Sequence, residues 1–214
     1  MERASMQNHR ANSMHFIEKK NCSDKWFDSD IDFNRLYPLP IQSLAKKHWT
    51  PLSIAQKAAY FLAAENDTSI LDVGSGVGKF CLAAAYYKPN ASFFGVEQRR
   101  GLIDHAEEAK ELLGLDNASF IHGNFTQLDF RHYDHFYFYN AFYENMIGID
   151  KIDDSIAYSS ELFNYYNRYL CRQLGQKPAG TRLVTFHSLE DEVPPGYYVV
   201  GTEMNSLLKY WIKI

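Results

Sequence analysis

The 214 residues include only three cysteines, Cys22, Cys81 and Cys171, an odd and scattered set without a C-x-x-C pair. That spacing excludes a disulfide framework and gives no zinc-finger pattern, and it suits a reducing, cytoplasmic setting. The chain also lacks any run of about 18 apolar residues, and its N-terminus lacks the apolar stretch of a signal peptide. A soluble protein with no membrane partner is therefore expected. There is no excess of positive charge: 22 Lys and Arg against 26 Asp and Glu leave a formal charge of −4. That balance argues against a broad nucleic-acid surface. The eight histidines show no H-E-x-x-H or H-x-x-x-H spacing, so no metal ligands are assigned. Internal repeats and low-complexity tracts are absent too.

What is present is an apolar content of 46%, with aromatic residues at 15%, enough to bury the core of one α/β domain. Residues 1 to about 25 are polar and without period, and should be mobile or lightly packed. From Trp26 to Pro40 aromatic residues return among acidic ones, a segment read as a cap in which Pro38 and Pro40 stop any helix. The sequence divides into an N-terminal extension over 1–48 and a domain over 49–214. Thr50 is placed as the N-cap of the first core helix, with Pro51 at its first position. Strands and helices then alternate: strand 69–73, helix 78–88, strand 92–96, helix 100–114, strand 118–122, strand 134–140, helix 153–174 and strand 181–187. Two closing β-rich runs, Tyr197 to Glu203 and Leu207 to Ile214, flank a turn at Met204-Asn205-Ser206. The expected fold is α/β: a Rossmann-like, doubly wound, seven-stranded sheet with an antiparallel C-terminal hairpin. Lys46-Lys47-His48 and Arg99-Arg100 read as solvated helix faces.

The most informative stretch is Ile70 to Phe80, I-L-D-V-G-S-G-V-G-K-F. An apolar strand that breaks into Gly74, Gly76 and Gly78 and then a helix sets unhindered backbone against a ligand, and Glu97 at the end of the next strand can grip a ribose diol. These residues mark a nucleoside-cofactor site. A phosphate-binding P-loop is excluded, because Gly78-Lys79 is followed by Phe80 and Val73 stands where its first glycine would be. A dinucleotide turn, G-x-G-x-x-G, is one residue longer, and Asp72 before the turn would repel a pyrophosphate. A carboxylate there suits a ligand with an ammonium group, such as S-adenosyl-L-methionine.

With these residues, positions 69–140 resemble a class I S-adenosylmethionine-dependent methyltransferase. The D-x-G-S-G-x-G form, Gly95-Val96-Glu97 and Asn140-Ala141-Phe142 are most similar to the Dot1-like branch, although Lys79 stands where that branch tends to carry glutamine. The resemblance implies that Asp72 and the backbone of Gly74, Ser75 and Gly76 receive the methionine end of the cofactor. It implies also that Glu97 accepts both ribose hydroxyls with Gln98 beside it, and that Asn124 and Phe125 edge and cover the adenine, Asn124 standing where many relatives have aspartate. The segment before the first core helix often folds over the cofactor in such proteins, which makes Trp49 and Thr50 candidate contacts. The product would be S-adenosyl-L-homocysteine.

Chemistry is expected where the fourth strand ends, at Tyr139-Asn140-Ala141-Phe142-Tyr143. Methyl transfer asks the protein mainly to align a nucleophile and exclude water. Asn140 can hold an amine N–H, and Phe142 and Tyr143 can wall the acceptor with faces that favour a sulfonium or developing ammonium. The quartet resembles the N-P-P-Y motif of enzymes that methylate amino groups, with alanine and phenylalanine in place of its two prolines. The expected acceptor is a nitrogen, in a protein side chain or a small molecule, otherwise unidentified. A cofactor-binding protein without catalysis, or one subunit of a methyltransferase complex, is the alternative. Glu144 reads as a solvated loop residue, and His187 as a surface or core histidine with some prospect of lining the acceptor pocket. Oligomeric state is left open.

Overall fold

The computed structural model describes residues 24–146, 148–188 and 192–214, so Cys22 and most of the segment expected to be lightly packed lie outside the described residues. The strands are β1 (Ser69–Val73), β2 (Ser92–Glu97), β3 (Ala118–His122), β4 (His135–Tyr139), β5 (Arg182–Phe186), β6 (Tyr197–Glu203) and β7 (Leu208–Lys213). They form the seven-stranded sheet expected from the sequence, and its order is β3-β2-β1-β4-β5-β7-β6. β1 to β5 are parallel, while β7 runs antiparallel to β5 and to β6. The chain reverses its winding between β1 and β4, whose registers align Asp72 with Tyr137 and Val73 with Phe138. In open α/β sheets ligands bind outside the carboxyl ends of the strands at this switch point.

The central strands are apolar along their length because both faces are covered: every residue of β1 after Ser69, and of β4 before Tyr139, is buried. Helices α1 (Asp30–Asn34), α2 (Leu39–Gln42), α3 (Ala45–His48), α4 (Leu52–Leu62), α5 (Lys79–Tyr87), α6 (Arg100–Leu113) and α7 (Ser160–Gly175) surround the sheet. In α6 the buried set Leu102, Ile103, Ala106, Ala109 and Leu113 follows the helical period, and Gly114 in the left-handed region ends it.

Residues 24–48 lie against the switch-point end of the sheet. Phe33 and Tyr37 are buried in the core, Phe27 stacks on Tyr86 at 3.9 Å, and Tyr37 Oη donates to the Val77 carbonyl at 3.0 Å. Burying a large aromatic side chain stabilises by roughly 2–3 kcal/mol, so this segment is bound firmly to the turn that follows β1.

Local corrections have clear causes. Pro40 does not stop a helix but lies in the first turn of α2, where a missing N–H costs nothing. Thr50 is not an N-cap: Pro51 takes that place without a side-chain bond, and Thr50 Oγ1 instead meets Tyr137 Oη at 3.0 Å. The helix expected from 153 begins at Ser160, because Ser159 Oγ accepts from Leu162 N at 3.1 Å while Asp153 is held elsewhere.

Candidate functional site

Beyond Val73 the chain turns through Gly74, Gly76 and Gly78, with φ of 80°, 55° and 79°. The outer two glycines are fixed by close neighbours: a Cβ on Gly74 would lie 2.4 Å from Ala141 Cβ, and one on Gly78 would lie 2.4 Å from the Phe120 ring. A Cβ on Gly76 would meet nothing within 4 Å. The turn is thus clamped at both ends and open in the middle. The Gly74 and Ser75 amides each donate to the Val96 carbonyl at 3.0 Å, which ties the turn to the end of β2.

Two buried carboxylates flank the turn. Asp72 is 4% exposed, and burial pushes its carboxyl up to about 8, against a weak donation from Cys81 Sγ and with Glu97 adding repulsion. A group so placed calls for a cation. Glu97 accepts from Gly76 N at 3.3 Å through Oε2, and from Arg99 N at 2.9 Å through Oε1.

Arg99 is where the sequence misled. Rather than facing solvent, it is 7% exposed and fans its guanidinium across four partners: Glu97 at 3.4 Å, Glu144 at 2.6 Å, Asp153 at 3.2 Å and Tyr158 Oη at 2.5 Å. Glu144, read as a solvated loop residue, also accepts from Ile152 N at 3.1 Å and from Tyr158 Oη at 3.1 Å. The network straps residues 150–158 over the ends of β2 and β4. Arg99 stands two positions after Glu97, but nothing in its spacing announces a buried role, because its partners come from loops far along the chain.

Lys79 is likewise buried, its ammonium bonded to Asp30 Oδ1 at 2.5 Å and Asn34 Oδ1 at 3.1 Å. Burial lowers its pKa against the opposing pull of Asp30. This pair joins the first turn of α5 to the N-terminal segment.

Three adjoining cavities share Gly74. One is lined by Glu97, Gln98, Gly123, Phe125, Phe142 and Tyr158, among others. A second includes His48, Trp49, Gly76, Glu97, Tyr139 and Asn140. The third holds Thr50, Asp72, Ser75, Lys79 and Tyr137. The first and second meet at Glu97, Arg99, Ala141 and Glu144.

The structure therefore gathers Thr50, Asp72, Gly74, Ser75, Gly76, Glu97, Gln98, Phe125, Asn140 and Phe142 around one space. Asn124 is placed differently. Its Oδ1 caps a short turn by accepting from Thr126 N at 3.0 Å, and its Nδ2 donates to Gln98 Oε1 at 3.0 Å and Tyr166 Oη at 2.9 Å. Phe142 is a buried wall, stacked on Phe125 at 5.0 Å. Tyr143 packs edge-on to Phe163 at 6.0 Å and lines none of the three cavities. Asn140 has φ of 46°, and its buried Oδ1 has no hydrogen-bond partner among the described residues.

Residues 64–142 match a family model described as a methyltransferase domain. Among curated relatives, the tRNA (guanine-N(7)-)-methyltransferase of Synechococcus sp. (strain JA-3-3Ab) is 44% identical over 54 residues, 25% of this chain and 23% of that protein. The like-named protein of Nostoc sp. (strain PCC 7120) is 32% identical over 85 residues, 39% of this chain and 38% of that one. The chain thus spans well under half the length of these relatives. TrmN from Thermus thermophilus superposes with a TM-score of 0.56 at 19% identity, covering 81% of this chain and 52% of the other. An RNA methyltransferase from Salinibacter ruber, solved with S-adenosyl-L-homocysteine, gives 0.51 at 18% identity, covering 77% and 92%. Two expectations are corrected by these relatives. They do not support the Dot1-like branch, and the argument from charge against a nucleic-acid partner is overturned, since the curated relatives are named for tRNA. A net charge averages over the surface and does not report on one local face. The sheet order is that of the class I methyltransferase fold, and residues 64–142, which carry the glycine turn, are similar to a methyltransferase domain.

Proposed function

We propose that this chain is a methyltransferase that uses S-adenosyl-L-methionine to methylate a ring nitrogen of an RNA base, with guanine N7 of a tRNA as the leading acceptor. The observation that carries the cofactor assignment is the open middle of the glycine turn between two buried carboxylates. The residues fit the cofactor's charges and shape. Asp72, held near neutrality by burial, would ionise against an ammonium. Glu97 would accept from a ribose diol with Oε2, which now takes one long bond from Gly76 N. Phe125 and Phe142, stacked on each other, offer an apolar wall beside Gln98 for a flat ring. Residues 24–48 serve as the cap that closes the methionine side, and 49–214 as the methyltransferase domain.

When bound, the cofactor supplies an electrophilic methyl carbon on a sulfonium; the nucleophile's lone pair forms the new bond and the C–S pair stays on sulfur as a neutral thioether. The chain's own task is alignment and exclusion of water. A ring nitrogen such as guanine N7 has no proton to lose, so no general base is needed. Such an acceptor becomes cationic, and the face of Phe142 provides a polarisable surround. The RNA acceptor is supported by the names of the curated relatives. No observation favours a cofactor-binding role without catalysis.

The test is calorimetric titration with S-adenosyl-L-homocysteine, followed by transfer of labelled methyl to tRNA transcripts, peptides and small amines, with nucleoside mass spectrometry. Micromolar binding that is lost in Glu97→Ala, and label confined to tRNA guanine, is expected. Binding with label only on peptide would sink the RNA assignment and leave the cofactor reading standing.

A further inference from the structure

The ends of β4 and β5 lie side by side, with Tyr139 paired in register to Phe186. The residue after each, Asn140 and His187, has φ of 46° and 58°. Two neighbouring non-glycine residues in the left-handed region at one sheet end are a strain that functional sites commonly hold. His187 is fixed there by its amide, which donates to the Leu207 carbonyl at 2.9 Å in the turn between β6 and β7. Its ring is exposed and lies against Phe186 at 4.3 Å and Tyr139 at 5.8 Å, with Tyr139 and Phe186 themselves 4.9 Å apart.

Tyr139 lines the cavity that holds Asn140, Trp49 and Gly76, so the aromatic group extends from the cofactor space outward to His187. Tyr139 Oη donates to the Lys47 carbonyl at 3.4 Å, which sets exposed Lys46 and Lys47 of α3 at its rim, the Lys47 ammonium paired with Asp150. The Asn140 Oδ1, buried and without a partner among the described residues, lies beside it. Flat π-faces, an unsatisfied amide acceptor and neighbouring ammonium groups are what an unstacked base with its phosphates requires.

We propose that Tyr139 and His187, backed by the buried Phe186 ring, form a stacking surface that holds a nucleobase of single-stranded RNA at the ends of β4 and β5, with Asn140 accepting from its edge. This rests on the RNA reading above and goes beyond it by placing the base at the rim of the cavity that Tyr139 and Asn140 line, with His187 beyond that lining. His187 is a binding residue here, not a proton carrier.

The experiment uses the full chain loaded with S-adenosyl-L-homocysteine and a single-stranded oligoribonucleotide carrying one 2-aminopurine, whose fluorescence falls on stacking. His187→Asn removes most of the ring face while tolerating positive φ, and His187→Phe keeps an aromatic face. The expected result is quenching by the unmodified chain and by His187→Phe, and a loss of about 5-fold or more in RNA affinity for His187→Asn. Calorimetric affinity for S-adenosyl-L-homocysteine should be equal in all three. Unchanged quenching and affinity in His187→Asn would overturn the platform, as would absence of RNA binding by protein that still binds S-adenosyl-L-homocysteine. If the unmodified, folded chain fails to bind that ligand at all, the cofactor reading falls and the platform with it.

Discussion

Asp72 gives the sharpest test. Its carboxyl is raised from 3.8 to about 8 chiefly by burial. A folded-state value above the unfolded one means that the native protein holds a proton which the unfolded chain has released. Stability attributable to this group therefore falls as pH climbs from about 4 to 8, and levels off above 8 where both states are ionised. At about 1.4 kcal/mol per unit, the full shift corresponds to an upper limit near 6 kcal/mol. Relaxation of the site and water entry would reduce the cost to about 2–3 kcal/mol. For a chain of this size each 1 kcal/mol moves the melting temperature by about 2–4 °C. The Asp72→Asn variant cannot ionise and keeps nearly the same shape. Its melting temperature, measured by calorimetry without ligand, should exceed that of the unmodified protein by about 4–12 °C at pH 8.5, and the gap should close near pH 4. Parallel curves for the two proteins between pH 5 and 9 would refute the claim that Asp72 is a buried carboxyl without a cation.

The same linkage predicts that S-adenosyl-L-homocysteine binds more tightly as pH rises toward 8, by at most about tenfold per unit, with a flat profile in Asp72→Asn by calorimetry. Arg99→Ala leaves buried Glu97 and half-buried Glu144 without their guanidinium and should cost about 3 kcal/mol or more in chemical denaturation, with faster amide exchange across residues 150–158. Gly78→Ala forces a left-handed alanine against the Phe120 ring; the backbone term alone is about 1–2 kcal/mol, and the melting temperature should fall by at least about 3 °C.

The sequence by itself determined the fold class, because a continuously apolar strand has to be covered on both faces and the alternation of strand and helix leaves few ways to do so. It also disclosed the glycine turn, since backbone at φ of 80° beside Ala141 leaves little room for another residue, and it singled out Glu97 by its place at the end of β2. Those signals are local, encoded within a few residues of where they act. The tertiary structure decided everything that depends on groups distant in the chain. It sank Arg99 between Glu144, Asp153 and Tyr158, buried Lys79 against Asp30, and turned Thr50 from a cap toward Tyr137. It engaged Asn124 in a turn, left Tyr143 outside the cavities, and brought His187 beside Tyr139 across 47 intervening positions. A charge written in a sequence can be solvated or buried, and only the other elements packed around it determine which.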